Sequence, residues 1–220
     1  PPLSARRQRQ MCIRDRWYDA SASMGLWPDK GLGQRNAWGG ELVDLDLDGD
    51  LDFLATFGPT EKGIREDKNL GQPDGLWLQE AGQFSQPPGA WGFGHDDIGR
   101  GFAVGDLNND GHPDVVKRRY KGGPTLVLAS RCSDAAWLKV QLASNDANPF
   151  AVGAVVIATV DGQPQTRWIH AGSSSLASGG PPEALFGLGA AETVERLEIR
   201  WPGGGVDVVE DVAVNQTVII

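Results

Sequence analysis

The sequence predicts an all-β chain, on three observations. Glycine and proline are abundant, at 30 and 14 of 220 residues. The apolar runs are short and rich in Val, Ile, Leu and Trp. Turn residues separate them, as they separate strands rather than long helices. A chain of this length has room for one large domain or two smaller ones, each with its own core.

The net charge of −9 is local rather than general. Asp44, Asp46, Asp48, Asp50 and Asp52 fall in one nine-residue window, and Asp106, Asp110 and Asp114 in another. Without those eight carboxylates the chain is close to neutral, so its acidity marks sites, and a nucleic-acid partner is not expected. Two cysteines, Cys12 and Cys132, do not make a disulfide scaffold. No apolar run approaches the ~18 residues of a membrane span. Residues 1–16 contain no apolar core of a signal peptide. They carry five Arg against one Asp in an otherwise acidic chain, and RRQRQMCIRDR resembles a translated sequencing adaptor. The expectation is a non-native, disordered leader over 1–16, with the natural start of the protein lost or upstream.

Beyond the leader the chain repeats itself. Trp17-Tyr18-Asp19 followed by Gly25-Leu26 is answered by Phe84-Ser85-Gln86 followed by Gly92-Phe93. Trp38 to Asp44 is answered by Arg100 to Asp106, and Phe53-Leu54-Ala55 by Val115-Val116. Asp44 and Asp106 lie 62 residues apart. That period suits a blade of a β-propeller-type array better than a helical solenoid unit of ~33–47 residues. Two copies are fewer than the ~4 blades that closure needs, so a truncated array of about two blades is expected over 17–130.

Each acidic window reads D-x-[DN]-x-D-G-x-x-D: Asp44, Asp46, Asp48, Gly49, Asp50, Asp52, then Asp106, Asn108, Asp110, Gly111, His112, Asp114. Alternate positions of a tight loop aim oxygens at one centre, and calcium takes six to eight such oxygens. Glycine at position six permits the reversal around the ion. Position seven, Asp50 or His112, offers its backbone carbonyl, which leaves its side chain free to vary. Carboxylates so crowded repel one another unless a cation lies among them. Two calcium sites are therefore expected, the first the more highly charged. An EF-hand is excluded because its bidentate Glu at position twelve is replaced by Ala55 and Lys117, and because the flanks read as strands. Zinc is disfavoured without Cys or His at ligand positions, and magnesium by its octahedral demand.

On these residues the stretch 17–130 resembles the FG-GAP/VCBS-type repeats of integrin-like propellers. The resemblance implies blades carrying calcium in the hairpin between adjacent strands. Gly122-Gly123-Pro124 sits where such repeats place a turn.

From Ala136 onward the pattern is shorter and alternating: Trp137–Leu142, Val155–Val160, Gln165–His170, Val194–Trp201 and Val206–Val209, the last two split by Pro202-Gly203-Gly204. A small β-sandwich is expected over 136–220. Ala151–Val155, Phe186-Gly187-Leu188-Gly189, Leu197–Gly203 and Asn215-Gln216 resemble the ASPIC/UnbV domain at the C-terminus of cartilage-acidic-protein-like chains. The chain departs from that family at Ser174–Ser178 and at Leu185, where the family has Gly-Tyr-Leu-Ser-Gln and His.

No catalytic constellation stands out, so no enzyme is expected. Ser173–Ser175 beside His170 lack a nucleophile-elbow context and read as a loop. His95 reads as a solvated loop residue. The expected function is a secreted, periplasmic or cell-surface structural and interaction module, adhesion-like, with an extracellular protein or glycan partner. The alternative is a carbohydrate-binding or carbohydrate-processing protein that uses exposed tryptophans, with Trp77 and Trp91 open as candidates and Trp137 and Trp201 read as core or sheet residues.

Overall fold

The structure, a computed structural model, describes residues 18–26, 35–62, 72–95, 97–120, 123–130, 133–144, 147–172 and 177–220. The leader, Trp17, Asp96, Gly122, both cysteines and Ser173–Ser175 lie outside them. Strands dominate the described residues, and none of their helices is long and apolar enough to cross a membrane.

The first repeat is a four-stranded antiparallel meander of β1 (Ala37–Val43), β2 (Asp52–Phe57), β3 (Gly75–Glu80) and β4 (Gln83–Ser85). The second is built from β5 (Gly99–Gly105), β6 (Asp114–Arg119) and β7 (Leu126–Leu128). The sequence period is reproduced strand by strand, because β1 and β5, and β2 and β6, are offset by the same 62 positions. Even the β-bulge recurs, between Ala37 and Gly39 in one copy and Gly99 and Gly101 in the other. A bulge bends its strand and raises its twist, so its repetition gives both sheets the same curl.

The repeats bury apolar faces against each other. Leu54 and Leu76 of the first meet Phe102, Val104 and Val115 of the second, with Phe93 between them. A second cluster lies within the first repeat, where Trp77 packs on Ala55, Phe57 and Phe84, with its ring 5.5 Å from that of Phe53.

The C-terminal module forms two sheets. One has β8 (Ala136–Gln141) between β12 (Glu183–Gly189) and β15 (Gln216–Ile219). The other runs β10 (Gln163–Trp168), β9 (Val155–Val160), β13 (Thr193–Arg200), β14 (Val206–Ala213). Alternation along β9 and β13 turns Val156, Ala158, Leu197 and Ile199 inward, where they meet Leu138, Val140 and Phe186. Each fully buried aliphatic or Phe side chain of this kind contributes ~1.5–3 kcal/mol, which gives the module a core of its own.

The module is not a separate bead. Its two-residue strand β11 (Ser178–Gly179) pairs in parallel with Phe102 and Ala103 on the free edge of β5. The Ser178 hydroxyl donates to Gly40 O at 2.7 Å. The C-terminal module thus covers a sheet edge of the second repeat and touches the first, which brings it over both acidic loops.

Candidate functional site

Both acidic windows are the turns of antiparallel hairpins. Val43 faces Asp52 at the end of the first hairpin, and Gly105 faces Asp114 at the end of the second. The turns share a backbone path: φ is +62° at Leu47 and +60° at Asn109, then +103° at Gly49 and +88° at Gly111. Glycine enters the left-handed region freely and asparagine with little cost. Leucine does not, and Leu47 is held there with no solvent exposure.

Position nine has the same work in both loops. Asp52 accepts from Leu45 N at 2.8 Å and Gln79 N at 2.8 Å. Asp114 accepts from Leu107 N at 3.0 Å and Ser130 N at 2.9 Å. Each buried carboxylate ties its own turn to the third strand of the sheet or the segment just after it. Both oxygens of each are engaged by backbone amides.

The first loop brings Asp44, Asp46 and Asp48 together, with one carboxylate oxygen from each within 4.8 Å of the others. Asp44 is 2% exposed, and its Oδ1 is buried without a hydrogen-bond partner. Burial pushes Asp44 up to about 6 against the pull of Arg167. Burial pushes Asp52 up to about 7, and Asp46 and Asp44 add to it. Burial and then Asp48 also raise Asp46. Asp50 joins through its amide, which donates to Asp48 Oδ1 at 2.9 Å.

The second loop does not converge in this way. Asp106 Oδ1 accepts from Asp110 N at 3.0 Å, and its Oδ2 from Gly111 N at 3.0 Å and Lys139 Nζ at 2.8 Å. The Asn108 side-chain amide donates to Asp110 Oδ2 at 2.7 Å, and its oxygen accepts from Asp110 N at 3.2 Å. The His112 ring contacts Asp110 O and Ser133 O, each at 3.2 Å, and so faces the segment leading to the C-terminal module.

That module roofs both turns. Over the first, Gly187 N donates to Asp44 Oδ2 at 2.9 Å and Gly189 N to Leu47 O at 2.9 Å. A Cβ on Gly187 would overlap the Leu47 backbone and the Asp44 carboxylate, so only glycine allows this approach. Arg167, its guanidinium 5.2 Å from the Phe186 ring centroid, reaches Asp44 Oδ2 and Gly49 O, each at 3.3 Å. Over the second, Trp137 lies against Gly111, where a Cβ would enter the indole. Asn215 holds the Trp137 backbone from both sides: its side-chain Oδ1 accepts from Trp137 N at 3.1 Å, and its own N donates to Trp137 O at 2.7 Å.

Family comparisons agree with this two-part layout. An FG-GAP-like repeat model matches residues 44–116, and an ASPIC and UnbV model matches 144–220. The chain carries an FG-GAP-like repeat followed by an ASPIC/UnbV domain. No curated protein matches the chain. The FG-GAP-like match runs from the first residue of one acidic loop past the end of the next. The ASPIC/UnbV match starts after β8, yet β8 is the central strand of a C-terminal sheet. The glycines of Phe186-Gly187-Leu188-Gly189 are the ones that accept the FG-GAP-like loop.

Sequence reasoning did not identify Arg167, Lys139 or Gly187 as parts of the site. Nothing in their local patterns marks them, since each is 33 or more residues from the acid it meets. Of the tryptophans, Trp77 is 2% exposed and belongs to the core, whereas Trp91 is 54% exposed on the 3-10 turn Pro88–Gly92. Trp201 packs against the C-terminal core and donates through Nε1 to Asp207 at 2.8 Å. His95 contacts Phe93 O at 3.2 Å, within its own loop.

Proposed function

We propose that this chain is a calcium-dependent structural and interaction module of a secreted or cell-surface protein, with no catalytic role. The observation that carries the reading is the first loop. Three carboxylates converge there, and one oxygen of Asp44 is buried without a hydrogen-bond partner. An unmet buried carboxylate oxygen costs about 1–3 kcal/mol or more, so the loop favours a hard cation among its oxygens. Asp44, Asp46 and Asp48 would hold the ion by their side chains, and position seven, Asp50, has a backbone carbonyl to offer. A bound calcium ion would supply the positive charge that lets these carboxylates stay ionised together. The chain's own residues do the rest. Asp52 fixes the turn to β3, and Gly187 and Arg167 hold the ASPIC/UnbV domain against Asp44. Loop rigidity and domain docking therefore meet at a single carboxylate, and binding energy at the loop becomes folding energy.

Extracellular modules often work at ~10⁻⁴–10⁻³ M calcium, which fits a partly exposed site of three side-chain carboxylates. The burial of Trp77 removes one of the two tryptophans on which a sugar-binding reading would rest. The test is a calcium titration by calorimetry with parallel thermal unfolding. Calcium should raise the melting temperature, and Asp46→Ala should remove that rise. A melting temperature indifferent to millimolar calcium, or glycan binding lost on Trp91→Ala, would overturn the reading.

A further inference from the structure

The two loops share a pattern and a backbone, yet the residues of the second do not fit the ion that the pattern implies. We infer that the second loop is not a calcium site: the ammonium of Lys139, delivered by the C-terminal module, neutralises its leading carboxylate, and the chain binds a single calcium ion. The inference rests on the calcium reading of the first loop.

Lys139 lies on β8 and is 2% exposed, and the Asp106 side chain it meets is fully buried. Nζ lies 2.8 Å from Asp106 Oδ2 and 3.0 Å from Asn109 Oδ1. A buried lysine keeps its charge only when paired and hydrogen-bonded, and the loop meets both conditions. Asp106 is left with no free oxygen: Asp110 N takes one, and Gly111 N and Lys139 share the other. Asp114 is engaged by Leu107 N and Ser130 N, and Asn108 by Asp110. An ion at this loop would have to displace these donors while lying beside a fixed positive charge.

The first loop differs at the matching points. Position four is Leu47, apolar and buried under β12, where the second loop has Asn109 to hold the ammonium. Arg167 meets only Asp44 Oδ2, and Oδ1 stays unpartnered and buried. One loop is thus neutralised from within the chain, and the other only in part.

Calorimetric titration of the metal-stripped full chain with calcium tests this. One equivalent should bind. Asp46→Asn combined with Asp48→Asn should abolish that binding in a chain that keeps Lys139, and Lys139→Met should bind two equivalents. Two equivalents in the unaltered chain, one surviving in the Asp46/Asp48 variant, or only one in a folded Lys139→Met variant would each overturn the inference. If the unaltered chain binds no calcium, the reading of the first loop fails. The role of Lys139 is then decided in metal-free protein by a double-mutant cycle of Lys139→Met with Asp106→Asn. A double variant that melts above either single variant supports the pairing, and additive losses overturn it.

Discussion

The two acidic loops differ less in their own residues than in what the C-terminal module brings to them. Both are turns of hairpins offset by the same 62 positions, both cross the left-handed region at positions four and six, and both are stapled by the aspartate at position nine. In the first, the module offers backbone amides, a glycine gap and an arginine on one oxygen, and leaves three carboxylates facing one another. In the second it offers a buried lysine that consumes the leading aspartate. Duplicating a loop therefore does not duplicate its surroundings: the charge brought across from another domain sets which carboxylate oxygens are already partnered.

The largest effect should come from breaking the second loop's pair. Asp106→Ala leaves the Lys139 ammonium buried beside Asn109 alone. Such a loss costs about 3–5 kcal/mol, measured by chemical denaturation without metal. Asp44→Ala should cost less under the same conditions, because burial already disfavours that charge and Arg167 keeps Gly49 O and the Phe186 face. Millimolar calcium should widen the gap between Asp44→Ala and the unaltered chain and leave that for Asp106→Ala unchanged. Equal costs for the two variants would break the comparison.

A substitution on the roof sharpens it further. Gly187→Ala should destabilise by about 2–3 kcal/mol, since its Cβ meets backbone that cannot retreat. Gly189→Ala, at φ +55° with open space around it, should cost only about 1 kcal/mol of backbone strain. The pair separates crowding against the loop from glycine's conformational freedom.

The repeats also differ one strand further on, where Ala55 in the first corresponds to Lys117 in the second. Lys117 is fully buried and paired with Asp74 and, at 2.8 Å, with Asp97, so it bolts the two repeats together. Burial pushes Asp74 up to about 6, and Lys117 pulls it back only in part. A carboxyl raised in the folded chain holds its proton more tightly there than in the unfolded chain, where it titrates near ~3.9. Its contribution is therefore fully present below pH ~4 and lost as pH rises through about 6. Asp74→Asn should flatten that part of the stability–pH curve, and an unchanged slope would assign it to other groups. The smallest effect belongs to Asp50→Asn, which should stay within about 0.5 kcal/mol, since the residue joins the loop through its backbone.

The sequence by itself determined the all-β class, the repeat and its period, the positions of both loops and the change of character from Ala136 onward. These are local properties: alternation, turn chemistry and spacing are written in consecutive residues, and each strand's burial follows from them. Leu138, Val140 and Leu197 are core residues for that reason. Only the tertiary structure decided what each acidic loop faces. Lys139 looks like any lysine in an alternating strand until β8 is set against the second turn. Gly187 looks like a motif glycine until β12 closes over Asp44. Whether a carboxylate meets an ammonium, an amide or nothing depends on which strand packs over it, across 33 to 143 residues of chain. Coulombic and hydrogen-bond energies follow distance in space, and sequence spacing encodes that distance only within one element.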